Sequence, residues 1–212
     1  MDGRRATAVA TAVGLALAGC GSDGGSDDDP SADGGGSRTI EVPGDAATVQ
    51  EAVDLAAPGD LVLIAPGTYE EAVDVTTDDL TIRGLDRAEV VLEGGFELDN
   101  GIRVLGADGV AIENLTVQNY TTNGVYWTGV DGYRGSYLTS LRNGEYGIYA
   151  FDSRHGLLEH SYAAGSGDGG FYIGQCYPCD AVVTDVLAEH NGIGYSNADA
   201  GGNLVVTAST FR

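Results

Sequence analysis

Histidine is scarce in this chain, three in 212 residues, and one of the three sits where it could move a proton. His160 falls two residues beyond Leu158, and Asp185 two beyond Val183, so both pairs are 25 residues apart. Asn114 and Tyr137 hold the same place after Ile112 and Gly135. If these segments repeat in space, the column Asn114, Tyr137, His160, Asp185 sets an imidazole beside a carboxylate, with a phenol alongside. An imidazole oriented by a carboxylate can serve as general acid or base near neutral pH. Arg134 lies one strand position from an outward row of Glu113, Ser136, Glu159 and Thr184. His160, Asp185, Tyr137 and Arg134 are therefore the candidate catalytic set, suited to lyase, hydrolase or epimerase chemistry. Read without chemistry, the same column is a polar ladder along a corner. His155 and His190 fall in turns, where solvation is expected.

A second column is aromatic. Tyr126, Tyr149 and Tyr172 recur every 23 residues, after Arg103, with Thr128 and Phe151 nearby. Such a row either stabilises strand pairing or offers rings to the apolar faces of sugars. Tyr126, Tyr149, Tyr172 and Phe151 are the candidate substrate-binding residues, expected as exposed rings on one flat face.

Cys176 and Cys179 flank a turn, Gln175-Cys-Tyr-Pro-Cys, and outside the cytosol they are expected to form a local disulfide. A metal site would need two further ligands, and His155 or His160 of the preceding coil are the near imidazoles. No resident metal or cofactor is expected, although a divalent cation could bridge an acidic surface to an acidic glycan.

These columns rest on a short repeat. Gly101-Ile-Arg-Val, Gly124-Val-Tyr-Trp, Gly147-Ile-Tyr-Ala, Gly170-Phe-Tyr-Ile and Gly192-Ile-Gly-Tyr place apolar residues at 102, 125, 148, 171 and 193. A companion column runs through Ile112, Gly135, Leu158, Val183 and Val206. Alternating segments of strand length between Gly, Asn and Asp indicate a solenoid of stacked coils. Glycine in every coil and the lack of a long 3.6-residue period argue against helical repeats. The predicted fold is all-β, a right-handed parallel β-helix with a short N-terminal capping helix. From the first column to the second the gap is 10 residues in three coils, then 12, then 13. The longer turns, at Gln175 to Cys179 and Asn197 to Asn203, are where binding is usually placed.

The ends carry other signals. Arg4-Arg5 precede an apolar run, Ala6 to Ala18, too short to span a bilayer as a mature helix and read as a signal peptide. Leu17-Ala-Gly-Cys20 resembles the lipobox of bacterial lipoproteins, which implies cleavage before Cys20 and a lipid on its thiol. Gly21 to Ser37 is Gly, Ser and Asp with one Pro and no apolar residue larger than Ala, a flexible tether. The expected order is a signal peptide over 1–19, lipidated Cys20 and tether over 20–38, a cap helix with first coils over 39–99, and coils over 100–212. That order places the folded part outside the cytoplasm, tethered to the cell membrane. Six residues follow Val206, so the last coil is read as uncapped, with a truncated C-terminus or an end-to-end contact covering it. The charge of −22 arises from 32 acidic residues against 10 arginines, and it excludes nucleic acid and anionic membrane surfaces as partners.

Between tether and coils, Thr48 and Glu51 form a capping box for a helix with Val49, Ala52, Val53 and Ala56 on one face, ended by Pro58-Gly-Asp60. Leu61-Val-Leu-Ile-Ala reads as a buried strand, and Val73 to Val75, Leu80 to Ile82 and Val90 to Leu92 as further short strands. Pro43-Gly-Asp45, Val49-Gln-Glu-Ala-Val, Ala65-Pro-Gly-Thr-Tyr and Leu80-Thr-Ile-Arg-Gly resemble the N-terminal block of pectin-lyase-like parallel β-helix proteins. Pectinesterases and the periplasmic copper-site maturation proteins of nitrous oxide reductase share that block, and the coils are similar to those of secreted bacterial β-helix lipoproteins. The resemblance spans Ile40 to Arg212 and implies the fold. It carries no catalytic roles, because the Asp-Asp, His-Gly and Arg-Ile-Lys set of polygalacturonases and the calcium and arginine set of pectate lyases are absent. Three functions follow as expectations. The first is binding or processing of a polysaccharide. The others are copper handling by an accessory protein, and a structural surface module.

Overall fold

The computed structural model describes residues 36–212, so the signal peptide, Cys20 and most of the tether lie outside the described residues. The chain winds as a right-handed parallel β-helix of about 8 turns. Each full turn visits three sheets in the same order. The first sheet has eight strands, Thr39–Val42, Leu61–Ile64, Thr81–Gly84, Val110–Glu113, Asp131–Ser136, Arg154–Glu159, Ala181–Thr184 and Leu204–Thr207. The second has seven short strands, among them Val90–Glu93, Thr116–Gln118, Thr139–Leu141 and Tyr162–Ala164. The third has six, including Ile102–Leu105, Val125–Thr128, Ile148–Phe151 and Gly169–Gly174.

Sequence period becomes spatial register. Ile102, Val125, Ile148 and Phe171 are paired across four consecutive strands of the third sheet, and Ile112, Gly135, Leu158, Val183 and Val206 across five of the first. Side chains alternate along each strand, so one residue of each pair enters the core and the next faces outward. Leu61 to Ile64 obeys this rule: Val62 and Ile64 are buried, and Leu61 and Leu63 are only partly so, which corrects the continuous buried strand expected there.

The fifth coil also departs from the expected register. Phe171 pairs with Tyr195, not with Ile193, which is half exposed. The disulfide turn lengthens its coil, and the chain resumes pairing where an aromatic ring can fill the interior. Tyr195 packs against the core, 5.5 Å from the ring of Phe211.

The helix Val49–Leu55 buries Val49, Ala52 and Val53 against the first coils. The Thr48 hydroxyl accepts from the Glu51 amide at 3.1 Å, and the Glu71 carboxylate accepts from the Val49 and Gln50 amides, so the free N–H groups of the first turn are satisfied. Helix end and first strands are joined at buried Asp60. Amides of Ala57 and Arg38 and the Arg38 guanidinium donate to its carboxylate, holding its pKa down to about 2.

Candidate functional site

Between the first and second sheets the chain turns through a single residue with left-handed backbone. Asn114, Tyr137, His160 and Asp185 have φ of 56°, 54°, 49° and 51°. Asparagine and aspartate tolerate this region, whereas tyrosine enters it at a cost of order 1 kcal/mol. Here the cost is offset by contact, since the Tyr137 ring stacks on the His160 imidazole with centroids 4.7 Å apart and planes at 23°. The next coil supplies Asp185, whose Oδ2 lies 2.7 Å from His160 Nδ1. With the Nδ1 proton donated to Asp185, the lone pair of Nε2 is left free to take a proton. Glu159 Oε2 stands 3.6 Å from that nitrogen.

Arg134 is drawn into a ladder of alternating charge along the first sheet. It contacts Glu113 Oε1 at 3.1 Å and Glu159 Oε1 at 2.6 Å, and Glu113 in turn meets Arg83 at 2.6 Å. The bond to Glu159 raises the Arg134 pKa further. Arg134 is thus held by two carboxylates, one of them Glu159, which lies beside His160. The structure brings together all four residues of the expected set.

It adds one that the repeat pattern does not reveal. Leu85 to Glu89 is a longer turn than the two-residue corners that follow, closed by Asp86, whose Oδ1 accepts from the Ala88 and Glu89 amides. From it, Arg87 runs along the axis and donates to Thr139 Oγ1 at 2.7 Å, to the Leu138 carbonyl and to the His160 carbonyl at 3.1 Å. Arg87 borders two open depressions. One, of about 500 Å³, contains Tyr137, His160, Tyr162 and Asp185, and the other, of about 570 Å³, contains Asn114, Thr116, Gln118 and Thr139. Together they form a groove parallel to the axis along the second sheet.

The tyrosine column lies on a different side, the outer face of the third sheet. Arg103, Tyr126, Tyr149 and Tyr172 are in register, and ring centroids are 4.9 Å apart for Tyr126 and Tyr149 and 4.6 Å for Tyr149 and Tyr172. Tyr146, on the preceding corner, stacks on Tyr149 at 4.6 Å and donates its hydroxyl to Asp168. Phe151 is 6.1 Å from Tyr149. The expectation of exposed rings on a flat face needs correction at Tyr172, which is 6% exposed. Tyr146 and Tyr149 cover it from one side, and its phenol lies over Gly174, where a Cβ would come within 2.1 Å of the hydroxyl. Stacked along the axis, the rings shield one another's faces and turn mainly rims outward. Burial, then the neighbouring tyrosines, pushes the Tyr149 pKa up to about 12.

Cys176 and Cys179 are joined in a disulfide with Cα atoms 4.8 Å apart, which leaves no thiolate to offer a metal. Their turn holds Tyr177 outward, 87% exposed, over a depression of about 410 Å³ with Asp108, Asp131 and Asp152. His155 is engaged, its Nδ1 on Asp131 Oδ1. Among the described residues no three His, Cys, Asp or Glu side chains are arranged to hold a metal ion.

No protein-family model and no curated protein sequence matches the chain. Its fold is shared with solved polysaccharide-active β-helices. An alginate lyase from Paenibacillus sp. str. FPU-7 superimposes with a TM-score of 0.64 at 21% identity over 81% of this chain and 65% of that one. Pectate lyase Pel9A gives 0.61 at 16% identity over 81% and 62%, and the pectin methylesterase PemA from Erwinia chrysanthemi gives 0.55 at 13% over 71% and 54%. The chain therefore spans less than two thirds of each of these structures.

Proposed function

We propose that this protein binds a polysaccharide along the groove of the second sheet and acts on it with His160 as proton-transferring group. The observation that carries the reading is the half-exposed His160 imidazole, held at Nδ1 by Asp185 and opening on the groove. In this reading Asp185 sets the tautomer, Tyr137 supports the ring by stacking, and Nε2 takes a proton from a sugar carbon or from water. Glu159, positioned by Arg134, stabilises the imidazolium that forms. Extended grooves along solenoid axes suit linear polymers, and the neighbouring structures named alginate lyase, pectate lyase and pectin methylesterase support the substrate class. Lyase, hydrolase and epimerase chemistry all use a proton transfer of this kind.

The reading places the domain outside the cytoplasm, anchored through a lipid on Cys20. Mass spectrometry of the mature protein should then find diacylglycerol on that residue, and an unmodified N-terminus elsewhere would overturn the anchor. For the site, the protein is incubated with a panel of neutral, uronic and sulfated polysaccharides, and products are separated by mass. His160→Gln should abolish product while binding persists. Equal turnover by wild type and His160→Gln would remove His160 from the chemistry.

A second reading rests on Tyr126 and Tyr149, which keep partly exposed rims that a sugar could contact.

A further inference from the structure

Arg87 stands apart electrostatically in a strongly acidic protein. Arg38, Arg83, Arg103, Arg134, Arg154 and Arg212 each lie within 4.0 Å of a carboxylate oxygen. Arg142 bonds to the side chains of Asn119 and Gln118 and feels Glu93. Arg87 likewise meets only neutral acceptors, a hydroxyl and two carbonyls, and among the described residues it is the one arginine with neither an ion pair nor a carboxylate acting on it. Those three bonds use three of the five guanidinium N–H groups and leave one on each Nη. Burial lowers its pKa, and a guanidinium keeps its charge in proteins. A half-buried guanidinium without a counter-charge is an anion site held ready, and the two spare N–H groups match the two oxygens of one oxyanion. Thr139, Asn114 and Tyr162 add polar groups around it.

We propose that Arg87 is an oxyanion-binding subsite of the groove, selecting sugar units that carry a carboxylate or a sulfate ester over neutral ones. The proposal rests on the groove being the polysaccharide site and names the class of sugar it takes. It also explains how a protein of charge −22 could hold an acidic polymer without a bridging cation. The general field repels such a chain, and one uncompensated arginine in the groove supplies local attraction and registers the anionic unit beside His160.

The test uses D-glucuronate, D-glucose 6-sulfate and D-glucose as probes, with Arg87 Nε–H and His160 resonances followed by NMR. Glucuronate or the sulfate should shift both resonances, and glucose should bind at least about tenfold more weakly, as expected for losing a charge-assisted bond. A shift by one probe alone identifies the anion. Arg87→Gln should abolish the difference between glucuronate and glucose, and Arg87→Lys should keep part of it, which guards against a variant that fails to fold. Equal binding of all three probes, or an undiminished preference in Arg87→Gln, would overturn the subsite. If acidic and neutral oligosaccharides bind the groove equally well, with or without Arg87, the subsite is wrong and the groove stands. If no oligosaccharide of any charge binds but glucuronate still shifts Arg87, the polysaccharide reading falls and the anion site remains.

Discussion

Removing the middle ring of the tyrosine column separates a structural ladder from a binding surface. Tyr149 stands 4.9 Å from Tyr126, 4.6 Å from Tyr172 and 4.6 Å from Tyr146. Each close aromatic pair contributes about 0.5–1 kcal/mol, so three pairs give about 1.5–3 kcal/mol. The column faces solvent, so Tyr149→Ala opens a notch that water can enter, and no closed cavity adds to the loss. For a domain of this size that corresponds to a fall in Tm of roughly 3–12 °C. Tyr149→Phe keeps every ring contact and should stay within about 0.5 kcal/mol of wild type. Urea unfolding with unchanged slope measures both variants, and the polysaccharide panel is repeated on each. Polysaccharide binding should survive both changes, because the groove is on another side of the solenoid. A Tyr149→Ala protein as stable as wild type would refute the ladder. Loss of affinity with the fold intact would make the column a binding surface.

Three further outcomes follow from particular contacts. A Cβ on Gly156 would stand 1.9 Å from Cζ of buried Tyr133, so Gly156→Ala should cost about 2–3 kcal/mol in urea unfolding, and combining it with Tyr133→Ala should relieve part of that loss. The Asp60 carboxylate has a folded pKa of about 2 against an ordinary 3.8, so its contribution is full above pH 4 and is lost as pH falls towards 2. Asp60→Asn should flatten that part of the acid stability profile. Thiol titration of a Cys20→Ser chain, unfolded without reductant, should find no free thiol, and reduction should lower stability by up to about 2 kcal/mol, the loop-closure value for so short a ring.

The fold was legible because its period is written into the sequence. Residues 23 apart are neighbours in space, so Ile102, Val125, Ile148 and Phe171 fall in one column at a fixed spacing. The corner column of Tyr137, His160 and Asp185 was legible for the same reason, including the 25-residue step that the longer Cys176 turn imposes. Failures occur where the period breaks. Gly192-Ile-Gly-Tyr imitates the repeat, yet the lengthened coil makes Tyr195 the partner of Phe171, and no local signal distinguishes Ile193 from Tyr195 as the inward residue. Arg87 was hidden because it projects from a turn outside the repeat and binds partners 51 to 73 residues away. The extra length of Leu85 to Glu89 was the available clue. Ring exposure is not legible in the sequence, because register fixes which residues are adjacent and says nothing of how side chains lean. Tyr172 lies over Gly174, and Tyr146, from a corner, closes over it.

The most direct test of the groove as the working site is a footprint of a bound oligosaccharide, taken from any polymer of the panel that binds. Backbone amide and side-chain NMR signals are compared with and without it. Changes should cluster on Arg87, Tyr137, Thr139, His160 and Tyr162, with Tyr126, Tyr149 and Phe151 silent. Changes confined to the tyrosine column, or to the turn at Cys176 to Cys179, would contradict the assignment.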